Sequence, residues 1–183
     1  MSPATKSANS NIDLTVDSLA LIGLNINSKS TGVSFYLLVS YGGERDCPIM
    51  KDGRILLFKN QKVARKWVRR SLGTSIDWKD VTHNDGNFIC NISGTLRLIE
   101  RYSIDRSATI INCLNTFSDV LPATGFNLPA QYRRVLVQFA DHLTFHREYG
   151  KFLRQKNISR TVLRDAILWC LGSVIATSKF LEE

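Results

Sequence analysis

The sequence predicts an α+β protein: a small antiparallel β-meander with one amphipathic helix, followed by a mostly helical bundle. Apolar and polar residues alternate from Val33 to Tyr41, a period that is typical of a strand with one buried face. Further along the chain, apolar residues recur every three or four positions, as in helices. The two periods divide the chain into a small subdomain at residues 13–85 and a helical part at residues 86–183. We expect them to pack as one globular unit after a disordered tail, residues 1–12, which has little apolar surface to bury.

Turn residues divide the first part into strands and a helix. Gly42-Gly43 and Asp52-Gly53 are hairpin signals, so "ERDCPIM" and "RILLF" are predicted to follow the first strand as antiparallel neighbours. Asn60 is suited to cap a helix, and "NQKVARKWVRRSLG" predicts one that Gly73 ends. The polar segment at residues 74–86 has weak periodicity, which predicts a linker or an ordered loop.

The second part contains a succession of helical patterns. Apolar residues at helical spacing favour a helix over residues 88–101, although Gly94 and the β-branched residues there leave a strand open. Asp105 is placed to cap "RSATIINCLNTFSDVL", and the prolines and glycine of "LPATGFNLPA" end that helix and begin the next. We expect a break in the next helix near Gly150. The apolar stripe of that helix consists of Tyr132, Val135, Leu136, Phe139, Ala140 and Leu143.

The last predicted helix runs from about Arg160 to Phe180. Its apolar residues cover nearly the whole circumference from Ala166 to Ile175, which is typical of a helix at the centre of a bundle. Gly172 and Ala176 are four residues apart and would let a neighbouring backbone approach closely. A homodimer through this C-terminal helix is one hypothesis, and an ordinary core helix within one chain is the other.

Composition constrains the compartment and the partners. The chain has 24 Lys and Arg against 16 Asp and Glu, so its formal charge of +8 favours encounters with acidic or phosphate-rich surfaces. Its four cysteines lie far apart with no C-x-x-C motif, and no signal peptide precedes them, so we expect reduced, mostly buried thiols. No apolar run reaches the roughly 20 residues that cross a bilayer. We therefore expect a cytoplasmic protein without a membrane partner.

The helix at "QKVARKWVRR" carries the densest positive charge. On a helical wheel its cations occupy an arc of about 140°, while Val63, Trp67 and Val68 lie outside that arc. No acidic residue occurs between residues 54 and 70, so the like charges are not relieved by local ion pairs. This stripe predicts an anion-binding or nucleic-acid-binding surface, with a solvated helix face as the alternative. The candidate residues are Arg54, Lys59, Lys62, Arg65, Lys66, Arg69 and Arg70.

A second concentration of positive charge lies at residues 147–164, where Glu148 is the single acid. If the fold brings both concentrations together, they form one footprint. The sequence contains no helix-turn-helix spacing, zinc-finger pattern, RNA-binding signature or phosphate-cradling glycine motif. A recognised nucleic-acid module is therefore not indicated.

His142 and His146 are the candidate metal ligands. They are four residues apart on a predicted helix, so both imidazoles face the same way and suit Zn²⁺. A third ligand would have to come from elsewhere, and His146 also falls on the apolar stripe, where a core histidine is the alternative. Cys90 with His83 is a further pairing, without a catalytic motif around it.

These observations favour a non-enzymatic intracellular interaction or regulatory module, without a cofactor, whose basic surface binds an acidic partner, either an acidic protein surface or nucleic acid. Nucleic-acid binding through the stripe at residues 54–70 is the first alternative. A metal-dependent or small-ligand enzyme built around His142 and His146 is the second.

Overall fold

The structure is a computed structural model that describes residues 18–27, 32–41, 46–72, 77–78, 89–101, 107–146 and 149–183. The strands are β1 (Ser18–Asn25), β2 (Phe35–Tyr41), β3 (Cys47–Pro48), β4 (Met50–Lys51), β5 (Arg54–Phe58), β6 (Asp77–Trp78), β7 (Ile89–Asn91) and β8 (Ser178–Leu181). The helices are α1 (Gln61–Ser71), α2 (Ile92–Arg101), α3 (Ser107–Val120), α4 (Ala130–Phe145), α5 (Tyr149–Lys156) and α6 (Arg160–Ala176). A 3₁₀ helix at Leu121–Thr124 follows α3. The predicted α+β class is confirmed.

The described strands form one mixed sheet. β2 pairs antiparallel with β1, β3 and β5, and the β4–β5 hairpin turns at Asp52 and Gly53, which both have positive φ. The predicted antiparallel strands are thus confirmed, with β5 between β2 and β4 in the sheet. The sheet also contains three strands that the sequence did not indicate: β1, β6, which is parallel to β1, and β8, which is parallel to β5. β7, also parallel to β1, lies where the sequence left a strand open.

Hydrophobic residues cover both faces of the sheet. One cluster joins strand residues such as Ile22 and Leu37 to buried residues of α2–α6. The other joins their strand neighbours, such as Leu21 and Leu38, to α1. Since adjacent residues of a strand point to opposite faces, the sheet is the middle layer of three. Burial on both faces also explains why β1, "SLALIGLN", lacks the alternation of a half-buried strand.

Local signals explain where the first helices begin. Asn60 caps α1 as predicted, since its side-chain oxygen accepts a hydrogen bond from the Val63 amide. Both interpretations of residues 88–101 hold in part, because β7 leads directly into α2. Asn91 is the last residue of β7, and its Oδ1 accepts a hydrogen bond from the Gly94 amide in the first turn of α2 at 2.8 Å. A Cβ on Gly94 would lie 2.7 Å from that Asn91 side chain, so a larger residue there would force Asn91 to move away from its hydrogen bond.

The C-terminal half confirms two predictions and corrects two. The helix that starts at Ala130 ends at Phe145 and α5 begins at Tyr149, so the expected break near Gly150 is present. The last helix ends at Ala176, not near Phe180, because the following residues pair with β5. Nor is that helix enclosed: Leu168 is 43% and Ile175 is 37% exposed, so α6 has an apolar outward face. The predicted stripe of α4 does face the core.

Several predictions fall outside the described residues: the disordered tail at 1–12, the helix end at Gly73, the boundary near residue 85, the cap at Asp105, and all of 74–86 except β6. No helix of the described part is long and apolar enough to cross a membrane.

Candidate functional site

The rotation of α1 about its axis is fixed by its apolar side. Val63, Ala64 and Val68 are buried against β2 and β5. The Trp67 ring packs against the buried ring of Phe58, with ring centroids 5.8 Å apart. Because these contacts hold one side of the helix on the sheet, the opposite side faces solvent.

That opposite side is the α1 cationic face, formed by Lys62, Arg65, Lys66, Arg69 and Arg70. Arg65 is half-buried and the other four are exposed. Together with Gln61 they line an open depression of about 730 Å³. Within the described residues, no carboxylate forms an ion pair with the four exposed cations. The predicted cations of the helix are therefore brought together on one surface, where the four exposed ones have no ion pair with a described acid.

The two remaining residues of the predicted stripe lie apart from each other. Arg54 is at the hairpin end of β5, while Lys59 follows the other end, directly before Asn60. At about 3.3 Å per residue these positions are roughly 16 Å apart along the strand. Lys59 thus precedes the cap of α1, and Arg54 belongs to the β4–β5 turn.

The second basic concentration lies in another layer. α5 and α6 contribute to the hydrophobic cluster on the opposite side of the sheet from α1. Two of its cations also have partners within the chain: Arg160 Nη1 donates to the Glu100 carbonyl at 2.7 Å, and Arg164 lies 3.4 Å from the Asp165 carboxylate. The two concentrations therefore do not share one helical face.

The predicted metal ligands lie in a different feature, the α4–α5 cleft, which has a volume of about 870 Å³. The rings of His142 and His146 are 5.2 Å apart, so the expected spacing is present. His146, however, is exposed at the end of α4 and is not a core histidine. Asp141 lines the same cleft, yet among the described residues no group of three or more His, Cys, Asp or Glu is placed to hold a metal.

Sequence reasoning missed the other members of this cleft. Gln138, Asp141, His142 and Phe145 share one face of α4, and their i, i+3, i+4, i+7 spacing is a signal that the sequence does carry. The α5 members could not be assigned, because their approach to α4 depends on the turn at His146. The residues that α5 contributes are Lys151, Phe152, Gln155 and Lys156.

The cysteines do not form a reactive centre. All four are free thiols, and Cys90, Cys113 and Cys170 are buried while Cys47 is exposed. A hydrogen bond with Cys90, with burial, raises the pKa of Cys113 well above its ordinary value. Burial raises the pKa of Cys170 to about 12. The thiols of Cys113 and Cys170 therefore stay protonated at neutral pH and are poor nucleophiles. His83, the base considered for Cys90, lies outside the described residues.

Comparison with known proteins supports the architecture. No family model matches the chain, and no curated protein matches it. A crystal structure of the SatS C-terminal domain in complex with bromine is similar, with a TM-score of 0.53 and 12% identity. The similarity covers 89% of this chain and 94% of that one. At this level of identity the comparison concerns the fold, not the activity.

Proposed function

We propose that this protein is a non-enzymatic interaction module whose α1 cationic face binds an acidic surface of a partner protein. The observation that carries the proposal is the α1 cationic face itself: four exposed cations and one half-buried cation on a helix whose other side is held by the sheet. Adjacent like charges cost a helix a few tenths of a kcal/mol per pair, and an acidic partner would relieve that cost. The helix backbone is already formed and packed on the sheet, so binding does not require the helix to fold.

Two features favour a protein partner over single-stranded nucleic acid. Binding to single strands typically combines cations with aromatic side chains on which bases stack. The α1 cationic face has no aromatic residue, since Trp67 packs against Phe58. A helix of 11 residues spans about 16 Å, which suits a compact acidic patch. Duplex nucleic acid remains the alternative that the experiment must separate.

We also propose a cytoplasmic location, which is supported by four free cysteines, three of them buried. Oxidising compartments favour disulfides in small domains, whereas the cytosol keeps thiols reduced.

The experiment is a binding titration with a charge-reversed variant. The substitutions Lys62→Glu, Lys66→Glu and Arg69→Glu reverse exposed charges without touching buried residues. The probes are a polyglutamate peptide, a duplex oligonucleotide and a single-stranded oligonucleotide, each titrated from low to physiological salt. We expect the wild type to bind polyglutamate most tightly and the variant to lose at least tenfold in affinity, which corresponds to about 1.4 kcal/mol.

A matched control reverses three exposed cations elsewhere, through Arg133→Glu, Arg134→Glu and Lys179→Glu. It lowers the net charge equally, so equal losses in both variants would mean that binding follows net charge and not the α1 cationic face. Tighter binding of the duplex at physiological salt would replace the protein partner by nucleic acid.

The apolar outward face of α6 supports a homodimer as a second partner. Leu168, Gly172, Ile175 and Ala176 are all exposed on this one face. A two-fold axis would place two copies of it against each other, and the small residues would permit close approach. A side chain at Gly172 meets nothing within 4 Å in the single chain. We therefore expect Gly172→Leu to convert a dimer to a monomer in light scattering after gel filtration, without loss of helical signal; a monomeric wild type would refute the dimer.

A further inference from the structure

The α4–α5 cleft combines groups that the α1 cationic face lacks. Phe139 and Phe152 stack at 5.5 Å beneath it and are buried, and the His142 ring lies 4.9 Å from Phe152. The floor of the cleft is therefore packed into the hydrophobic core. Above this floor, Phe145 is 76% exposed and lines the cleft.

The polar groups of the cleft carry both charge signs and amides. Lys151 and Lys156 supply ammonium groups, and Asp141 supplies a carboxylate. Gln138 and Gln155 supply amides, each of which both donates and accepts hydrogen bonds. Small-ligand sites have volumes of about 300–1,000 Å³, and the cleft, at about 870 Å³, lies within that range.

We propose that the α4–α5 cleft binds a nucleoside phosphate. The two lysines bind the phosphate oxygens by charge-assisted hydrogen bonds. The exposed ring of Phe145 provides a surface on which a planar base stacks, and the glutamine amides pair with the polar edge of that base. The carboxylate of Asp141, which would repel an inorganic anion, accepts hydrogen bonds from the sugar hydroxyls. A ligand with phosphate, sugar and base therefore uses all of these groups, whereas phosphate by itself leaves Phe145 and Asp141 without a role.

This inference is independent of the proposed function, because the cleft and the α1 cationic face lie on opposite sides of the sheet. The probes are ATP, adenosine and inorganic tripolyphosphate, titrated calorimetrically into the full chain in buffer with EDTA, which removes metal-bridged binding. We expect ATP to bind at least tenfold more tightly than either fragment.

Two variants distinguish the contact with the base from the contacts with the phosphates. Phe145→Ala removes the exposed ring and should weaken ATP about tenfold, while leaving tripolyphosphate unchanged. Lys151→Gln with Lys156→Gln should weaken ATP and tripolyphosphate alike, at least tenfold. The control Lys179→Gln removes an exposed cation from β8 and should change none of these affinities. All these side chains except Phe145 are polar, and Phe145 is largely exposed, so the variants should fold.

Three results would overturn the inference: no ATP binding at millimolar concentration, tripolyphosphate binding as tightly as ATP, or ATP binding that Phe145→Ala does not weaken. The α1 charge-reversed variant distinguishes the two proposals. If it loses polyglutamate but keeps ATP, both stand; if it loses ATP while the cleft variants keep it, the nucleotide binds to α1 and the cleft assignment fails.

Discussion

The α1 cationic face and the α4–α5 cleft are both basic, yet they differ in shape and in chemical variety. The first is one side of a single helix with one kind of charge. The second lies between two helices and combines lysines with a carboxylate, amides, imidazoles and an exposed ring. A surface of one charge is suited to the opposite charge of another macromolecular surface, whereas varied groups between two helices are suited to a small molecule with several functional groups. The net charge of the chain does not distinguish the two surfaces, because it says nothing about which groups lie at each.

The largest expected effect is a loss of folding stability when the buried aromatic residues beneath the cleft are truncated. Phe139 is fully buried and stacks on Phe152, the ring that also contacts His142 beneath the cleft. We expect Phe139→Ala to lower the free energy of unfolding by about 3–5 kcal/mol, since it leaves a cavity in the helical layer. Urea denaturation followed by circular dichroism measures this loss.

If Phe139→Ala does not fold, Phe139→Leu keeps most of the volume and should cost less than about 1.5 kcal/mol. In either folded variant the α1 cationic face should bind polyglutamate as before, because α1 belongs to the other hydrophobic cluster. Equal damage to both surfaces would show that they depend on the same support.

The α1 cationic face can be predicted from the sequence more fully than the α4–α5 cleft. α1 is a local structure: its cap at Asn60, its apolar side and its cations are all readable within one stretch. The cleft depends on the packing of α5 against α4, and the break predicted near Gly150 did not specify that packing. The same reason explains the missed strands. β8 continues an apolar helical pattern and becomes a strand because β5 offers an edge far away in the sequence.

An intermediate loss of stability is expected when the N-terminal cap of α1 or of α6 is removed. Asn60 accepts from the Val63 amide at 2.9 Å, and Ser159 accepts from the Thr161 amide at 3.1 Å at the start of α6. Each substitution to Ala should lower the free energy of unfolding by about 1 kcal/mol, because a backbone donor loses its partner. Amide hydrogen exchange should show faster exchange in the first turn of α1 for Asn60→Ala and in the first turn of α6 for Ser159→Ala. Faster exchange in both helices from either variant would contradict their assignment to separate layers.

The smallest expected effect tests whether repulsion between the cations of α1 lowers the free energy of unfolding. Lys66→Glu places a carboxylate between Lys62 and Arg70, each four residues away on the α1 cationic face. The substitution replaces two repulsive i,i+4 pairs with two attractive ones, so we expect stability to rise by about 0.2–0.5 kcal/mol per pair at low salt. The gain should disappear in 1 M salt, where the screening length falls to about 3 Å. A variant that is more stable than the wild type yet binds polyglutamate more weakly would show that the uninterrupted cations serve binding, not folding. If stability is unchanged at low salt, the cations of α1 are already relieved within the chain, and the argument for an acidic partner loses its energetic basis.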